Sequence, residues 1–451
     1  MMFDLVVRGG QVVRADGIGA FDIGVVDGVI RAVTAPGEGI TARNEIDVAG
    51  SFVLPGLVDA HVHIPGFVLP TELDDFDCAT RAAAAGGVTT VLLMPTDEPR
   101  TDNAERFTLK RDSGTGRSYV DYALQAMIGP MTQSITDLAD LGAVSFELFL
   151  AYGGMPDFIV GDDDFELTRL LALVRDAGGI AGITPHSPSL IRRLTEVHRD
   201  DPRPTVATRA ATRTVLSETL GLARACTAAA ESGTVIHLRA LSSRRSVELV
   251  RAFRGLARLS SEVMCHHLLF TADEAERMGA YGVITPPIRS ADDRAALWDA
   301  VRCGEIDIVV SDHSPCPRWE KELGQADIWQ APPGMTGLQT VLVSMLALVD
   351  DGVLGLTDVV RLCCEEPARR FRLHPQKGKI AVGSDADLVV LDPQRSMLVE
   401  DRSMFSRADY TTLAGRRVGY GIETVMVRGK MVFSDGGFVA PPHGRFVRPM
   451  S

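Results

Sequence analysis

The stretch Gly56-Leu57-Val58-Asp59-Ala60-His61-Val62-His63 decides how this chain is read. It continues the strand-forming run Phe52-Val53-Leu54 past a Pro55-Gly56 turn and ends in two histidines one residue apart. Alternate residues of an extended strand point to one side, so both imidazoles can converge on a single ion. A pair at this spacing also arises from packing alone. Its weight therefore depends on what the later strands carry.

Working outward, apolar strand candidates recur near 88–94, 120–126, 142–149, 179–184, 233–237, 262–265 and 306–311. Helical segments rich in Ala, Leu and Arg separate several of them, at 77–86, 166–177, 215–231, 246–257 and 291–302. With the strand that ends near His61 the strands number eight, which predicts an α/β chain built on a (β/α)8 TIM barrel. The residues just beyond the strands' C-terminal ends would then form its active face.

Both ends of the chain have a different texture. Leu5-Val6-Val7-Arg8, Ile23-Gly24-Val25-Val26 and Phe52-Val53-Leu54 lie between Gly-rich turns, and Leu388-Val389-Val390-Leu391 and Thr424-Val425-Met426-Val427 repeat the pattern. This predicts one small β-sandwich domain made from residues 1–54 and 376–451, with the barrel spanning 55–375. Two separate β-modules are the alternative. The Pro- and Gly-containing segments 314–337 and 435–445 read as excursions from regular structure, the first as a cover over an active site and the second as a tail or oligomer contact.

Composition narrows the class. A chain of 451 residues can bury a large core, and its formal charge of −13 opposes nucleic acid or an anionic membrane as a partner. No apolar run is long enough to span a bilayer, and Met1-Met2-Phe3-Asp4 lacks the features of a secretion signal. Seven cysteines, an odd number without a dense pattern, point to a reducing cytoplasm rather than a disulfide scaffold.

Four further residues sit at or just after strand ends or inside an apolar run. His186 follows Gly182-Ile183-Thr184-Pro185, His237 follows Gly233-Thr234-Val235-Ile236, and Asp312 follows Ile308-Val309-Val310-Ser311. Glu147 lies within Ser145-Phe146-Glu147-Leu148-Phe149, where an unpaired carboxylate is costly and requires a cation, a donor or a proton. Each has a structural reading, a packed histidine or a salt bridge. Together, four histidines and a carboxylate favour a divalent metal, with Zn²⁺ the expected ion. Such an ion lowers its water's pKa toward ~7 and polarises a carbonyl, and Asp312 can move the proton from that water to a leaving nitrogen. The predicted reaction is hydrolysis of an amide-type bond by metal-bound hydroxide. Competing motifs are absent: there is no Gly-x-Gly-x-x-Gly loop after a strand, and Ser311 lacks a Gly-x-Ser-x-Gly setting.

These motifs, joined to Ser311-Asp312-His313-Ser314-Pro315, Gly282-Val283-Ile284-Thr285-Pro286-Pro287-Ile288-Arg289 and Gly383-Ser384-Asp385-Ala386-Asp387-Leu388, resemble the cyclic-amidohydrolase branch of the amidohydrolase superfamily. That branch holds dihydropyrimidinases (hydantoinases), allantoinases and dihydroorotases. The resemblance implies metal ligands at His61, His63, His186, His237 and Asp312, with Asp312 also the proton shuttle. It implies an oxyanion-stabilising Tyr152 and substrate contacts at Thr285, Pro333 and Gly334. It further implies a small cyclic amide or ureide as substrate and a homodimer or homotetramer as the assembly.

The chain departs from this family pattern at Glu147, where the family has a lysine converted to a carbamate. No carbamate is expected here, and glutamate is shorter by roughly 3–4 Å of extended chain. Three outcomes follow: a glutamate-bridged pair of ions, a single ion, or a site without metal. His186-Ser187-Pro188 and Gln339 also depart from the pattern, and Ile64-Pro65-Gly66 lacks the arginine with which dihydroorotases bind a carboxylate. A hydantoin or dihydropyrimidine ring is the expected substrate. Allantoin or another cyclic ureide is the alternative, and a non-catalytic scaffold homologue is the reading from another class.

Overall fold

The computed structural model describes residues 2–67, 72–151 and 158–450. Its strands, in chain order, are β1 (Phe3–Arg14), β2 (Gly17–Val26), β3 (Val29–Thr34), β4 (Ala42–Asp47), β5 (Phe52–Pro55), β6 (Leu57–Val62), β7 (Val88–Leu93), β8 (Asp121–Leu124), β9 (Ala126–Met127), β10 (Phe146–Phe149), β11 (Ala181–Thr184), β12 (Ile236–Leu238), β13 (Leu259–Met264) and β14 (Ile308–Val310). Then come β15 (Leu388–Asp392), β16 (Met397–Leu398), β17 (Arg417–Val418), β18 (Gly421–Val427), β19 (Lys430–Ser434) and β20 (Gly437–Phe438). The chain divides into two compact units, one of residues 1–92, 111–123 and 336–451, the other of 93–110 and 124–335.

The first unit draws strands from both ends of the chain into one nine-stranded sheet, in the order β20-β19-β18-β15-β5-β1-β2-β3 with β4 on β1. β1 organises it, pairing antiparallel with β2 along one edge and parallel with β4 and then β5 along the other. Its register with β2 shifts between Val7 and Gly10, where Gly9 takes a left-handed φ of 69° that costs a glycine little. Val7, Val12, Ile23, Val53, Leu388, Val390 and Met426 form the sheet's apolar core. β6, β7 and β8 form a separate three-stranded sheet.

A buried charge cluster also belongs to this unit. The Lys377 ammonium contacts Asp387 at 2.7 Å, Asp385 at 2.9 Å and also Asp121, while Arg428 binds Asp121. Burial opposes the Asp121 carboxylate, but Lys377 and Arg428 outweigh it and hold its pKa below the usual range. Three carboxylates this close resemble a metal site, yet Lys377 already supplies their cation. Lys377→Met should therefore lower stability by roughly 3–5 kcal/mol, because it strands buried carboxylates. Chemical denaturation measures this, and a loss below about 1 kcal/mol would contradict the structural role.

In the second unit β9 to β14 form a parallel sheet in sequential order, with β9, β10, β11, β12 and β13 each pairing with the next. Helices alternate with these strands and are capped by short polar side chains. Asp163, Thr214, Ser243 and Ser290 accept the backbone N–H three residues on, each cap contributing about 1 kcal/mol. The helix Val215–Ser232 ends at Gly233, whose left-handed φ of 71° closes it. The segment expected to be irregular, 314–337, contains a helix, Arg318–Ala326. Lys321 explains its placement: the buried ammonium donates to the carbonyls of Val283, Pro332 and Gly334 at 3.0, 2.8 and 2.8 Å.

Candidate metal centre

In the first unit β6 is buried along its whole length and delivers His61 and His63 at its C-terminal end. Their ring centroids lie 5.5 Å apart with planes inclined by 49°, so the alternation of the strand turns both imidazoles the same way. The His61 amide donates to Asp59, which is itself buried and fixes the strand end.

In the second unit Asp312 follows β14 with a φ of 44°, a left-handed conformation that aspartate tolerates better than most residues. The loop that carries it is held in place. The His313 amide donates to Ser311 Oγ at 3.0 Å, and the Ser314 amide donates to the Met335 carbonyl at 3.0 Å. A strained, pinned carboxylate at a strand end is a functional candidate by its geometry.

Four strands of this unit place Glu147, Gly182, His237 and Ser260 side by side in register. Gly182 is a glycine for a visible reason: a Cβ there would lie 2.1 Å from Glu147 Oε1. Glu147 thus fills the space its neighbour leaves. Its carboxylate is gripped by Arg239, with Nε donating to Oε2 at 3.0 Å and Nη2 to Oε1 at 2.7 Å, and Ser145 Oγ adds a third donor at 2.7 Å. Arg239 Nη1 reaches Glu262 at 2.8 Å, and Nη2 also donates to Gln125. All three charged side chains are essentially excluded from solvent. Burial opposes the guanidinium's charge, but Glu147 and then Glu262 overcome it and hold its pKa above the ordinary arginine range.

Two of the expected ligands have protein partners in this arrangement. Glu147, expected as a metal ligand, meets its need for a cation with Arg239 instead. His237, expected as another, has both nitrogens occupied: Nδ1 lies 2.8 Å from Ser260 Oγ and Nε2 lies 3.0 Å from Glu262. Burial depresses the pKa of His237, with partial relief from Glu262, so the ring is neutral. With Glu262 as an acceptor, Nε2 donates to it and Nδ1 accepts from Ser260.

His186 differs. It is buried, its Nδ1 has no hydrogen-bond partner, and its pKa falls to about 3 through burial and the nearby charges of Arg213 and Arg289. A neutral imidazole with an orphaned nitrogen is suited to a ligand. Thr285 is half-buried, and Pro333 is exposed with only a carbonyl to offer. The Gly334 N–H donates to Val283 at 3.1 Å, and its carbonyl accepts from Lys321. Tyr152 lies outside the described residues.

Arg239 is the residue that sequence reasoning passed over. The signal was present: it stands two positions after His237, on the same side of a strand, in a chain whose apolar strands also contain Glu147 and Glu262. Three charged side chains aimed into apolar surroundings have to find one another.

Comparison with known proteins agrees with this architecture. The amidohydrolase family profile matches residues 52–432. The chain is 37% identical to an allantoinase of Rubrobacter xylanophilus, covering 99% of this chain and 98% of that protein, and 33% identical to an L-hydantoinase of Paenarthrobacter aurescens over the same shares. The solved L-hydantoinase (dihydropyrimidinase) from Arthrobacter aurescens superposes with a TM-score of 0.94 at 32% identity, covering 99% of this chain and all of that one. The fold is therefore a TIM barrel with an added β domain. The match to a family profile over most of the length, and relatives above 30% identity over nearly all of it, place the chain in the amidohydrolase family.

Proposed function

We propose that this protein hydrolyses one amide bond of a small cyclic ureide, a hydantoin or dihydropyrimidine ring, with the help of a single divalent ion, Zn²⁺. His61, His63 and Asp312 are the proposed ligands, and His186 is the proposed fourth. The observation that carries this reading is the pair of imidazoles aligned at the end of β6. Imidazole nitrogens together with one carboxylate are a donor set that suits Zn²⁺. When bound, the ion would polarise the ring carbonyl and acidify water. A carboxylate oxygen of Asp312 accepts the proton of the attacking water as its oxygen bonds to the ring carbonyl carbon. It then passes that proton to the ring nitrogen as the C–N bond breaks, leaving a carboxylate and a ureido or amide nitrogen. Lys321 supports the substrate side by tying Val283, near Thr285, to the Pro332–Gly334 loop.

A single ion is proposed because the guanidinium of Arg239 already neutralises Glu147. Metal analysis of metal-replete protein should give one ion per chain. Two would overturn the single-ion reading, and none would leave the scaffold reading in its place. Allantoin is the second substrate reading, favoured by the 37% identity to the Rubrobacter allantoinase. Ring opening of hydantoin, dihydrouracil, allantoin and dihydroorotate should show turnover of hydantoin or dihydrouracil above the other two. Turnover of allantoin alone would replace the first reading with the second.

A further inference from the structure

A cavity of about 590 Å³ is walled entirely by residues of the first unit, and its size suits a small molecule. The nine-stranded sheet contributes Arg14 at the end of β1, Phe21 of β2, Val33 of β3 and Pro55 at the end of β5. The rest of the wall is the loop 378–382 together with Val360 and Glu365, one just before and the other closing a π-helical turn, Arg361–Glu365. Turns of that kind are rare and recur at functional sites. None of His61, His63, His186 and Asp312 lines the cavity.

Two cations in this wall lack an anion. Arg14 forms no ion pair among the described residues, and its Nε is shut off from solvent with no acceptor. Its guanidinium instead lies 4.2 Å from the centroid of the Phe21 ring, a contact that orients the group without neutralising it. Lys379 is half-buried and likewise forms no ion pair among the described residues. Two carboxylates also line the cavity. Glu365 already has a cation, Arg369, at 2.5 Å, while Asp16 is exposed in the turn between β1 and β2. Two cations against one unpaired carboxylate leave a single positive charge uncompensated.

A buried N–H without an acceptor is costly, and an anionic oxygen in the cavity would satisfy it. The edge of a guanidinium matches the two oxygens of a carboxylate. Phe21, Val33, Ile380 and Val382 supply apolar wall, and the Val382 side chain, 65% exposed, is surface that an alkyl or aryl body would cover. A phosphate dianion would bring more charge than the wall balances and would leave that apolar surface wet.

We propose that this cavity is a binding site for a small monocarboxylate with an apolar body, its carboxylate held by Arg14 and Lys379. The site stands whether or not the protein opens a ureide ring, because it shares no residue with the proposed metal ligands.

Calorimetry with hexanoate, hexanamide, acetate and inorganic phosphate tests the ligand class. Hexanoate should bind at least about tenfold more tightly than hexanamide, as expected for charge-assisted hydrogen bonds. It should also exceed acetate by about tenfold or more, because acetate leaves the apolar wall uncovered. Arg14→Gln and Lys379→Gln should each weaken hexanoate by about fivefold to tenfold and leave hexanamide within about twofold, with the melting temperature reporting that the fold persists. The Lys379 ammonium makes no hydrogen bond among the described residues, so Lys379→Gln carries the test alone if Arg14→Gln does not fold. Hexanoate affinity unchanged in a folded variant would place the carboxylate elsewhere and overturn the proposal. Phosphate or acetate binding as tightly as hexanoate, or no binding of hexanoate, would overturn it as well.

Discussion

Replacing Arg239 with methionine should destabilise the protein by roughly 3–5 kcal/mol, as much as any single exchange away from the reaction itself. Methionine fills a similar volume, so lost packing contributes little and the effect isolates the charge. The guanidinium is the cation shared by Glu147 and Glu262, and both carboxylates are essentially solvent-excluded. Without it each must either stay ionised in apolar surroundings or take up a proton. The sign with pH follows. Proton uptake by the two stranded carboxylates relieves the damage, so the deficit relative to wild type should shrink as pH falls toward 5. A companion variant combining Arg239→Met with Glu147→Gln and Glu262→Gln removes the stranded charges and should recover more than half of the loss. Urea unfolding across pH 5 to 8 reads all of this. A deficit below about 1 kcal/mol at pH 7 would mean that Glu147 finds another cation in solution, and the single-ion reading would fall with it.

That network shows where sequence reading reaches and where it stops. The strands were legible because short apolar runs recur between helical segments, and β10 to β14 overlap those runs. Glu147 was legible as a carboxylate in need of a cation. The identity of its partner was not, because Arg239 is 92 positions away and meets Glu147 only through the register of three parallel strands. The partners of His237 were hidden for the same reason: Ser260 and Glu262, which its two nitrogens meet, come from the next strand. Gly182 carried a readable clue in retrospect, since a glycine inside a strand often marks a close approach. Lys321 carried none, because its partners are backbone carbonyls, which every residue possesses.

Asp312→Asn should lower kcat/KM by about a hundredfold to ten-thousandfold while leaving the fold intact. The conservative choice matters because Asp312 sits at a φ of 44°, and asparagine is at ease in that left-handed region. Stability should therefore move by no more than about 0.5 kcal/mol. What changes is the oxygen that takes the water's proton: an amide cannot accept it at neutral pH, nor return it to the departing nitrogen. Asp312→Ala makes a useful contrast, since it removes the same carboxylate and also places a residue less suited to this backbone, adding about 1 kcal/mol of destabilisation. Metal content should persist in the asparagine variant through His61 and His63, which separates lost proton transfer from lost metal. Turnover within about threefold of wild type would rule out proton transfer by Asp312. Loss of both turnover and metal would reassign it as chiefly a ligand. The two histidines cannot substitute for it, because an imidazole that ligates an ion has given up the lone pair with which it would take a proton.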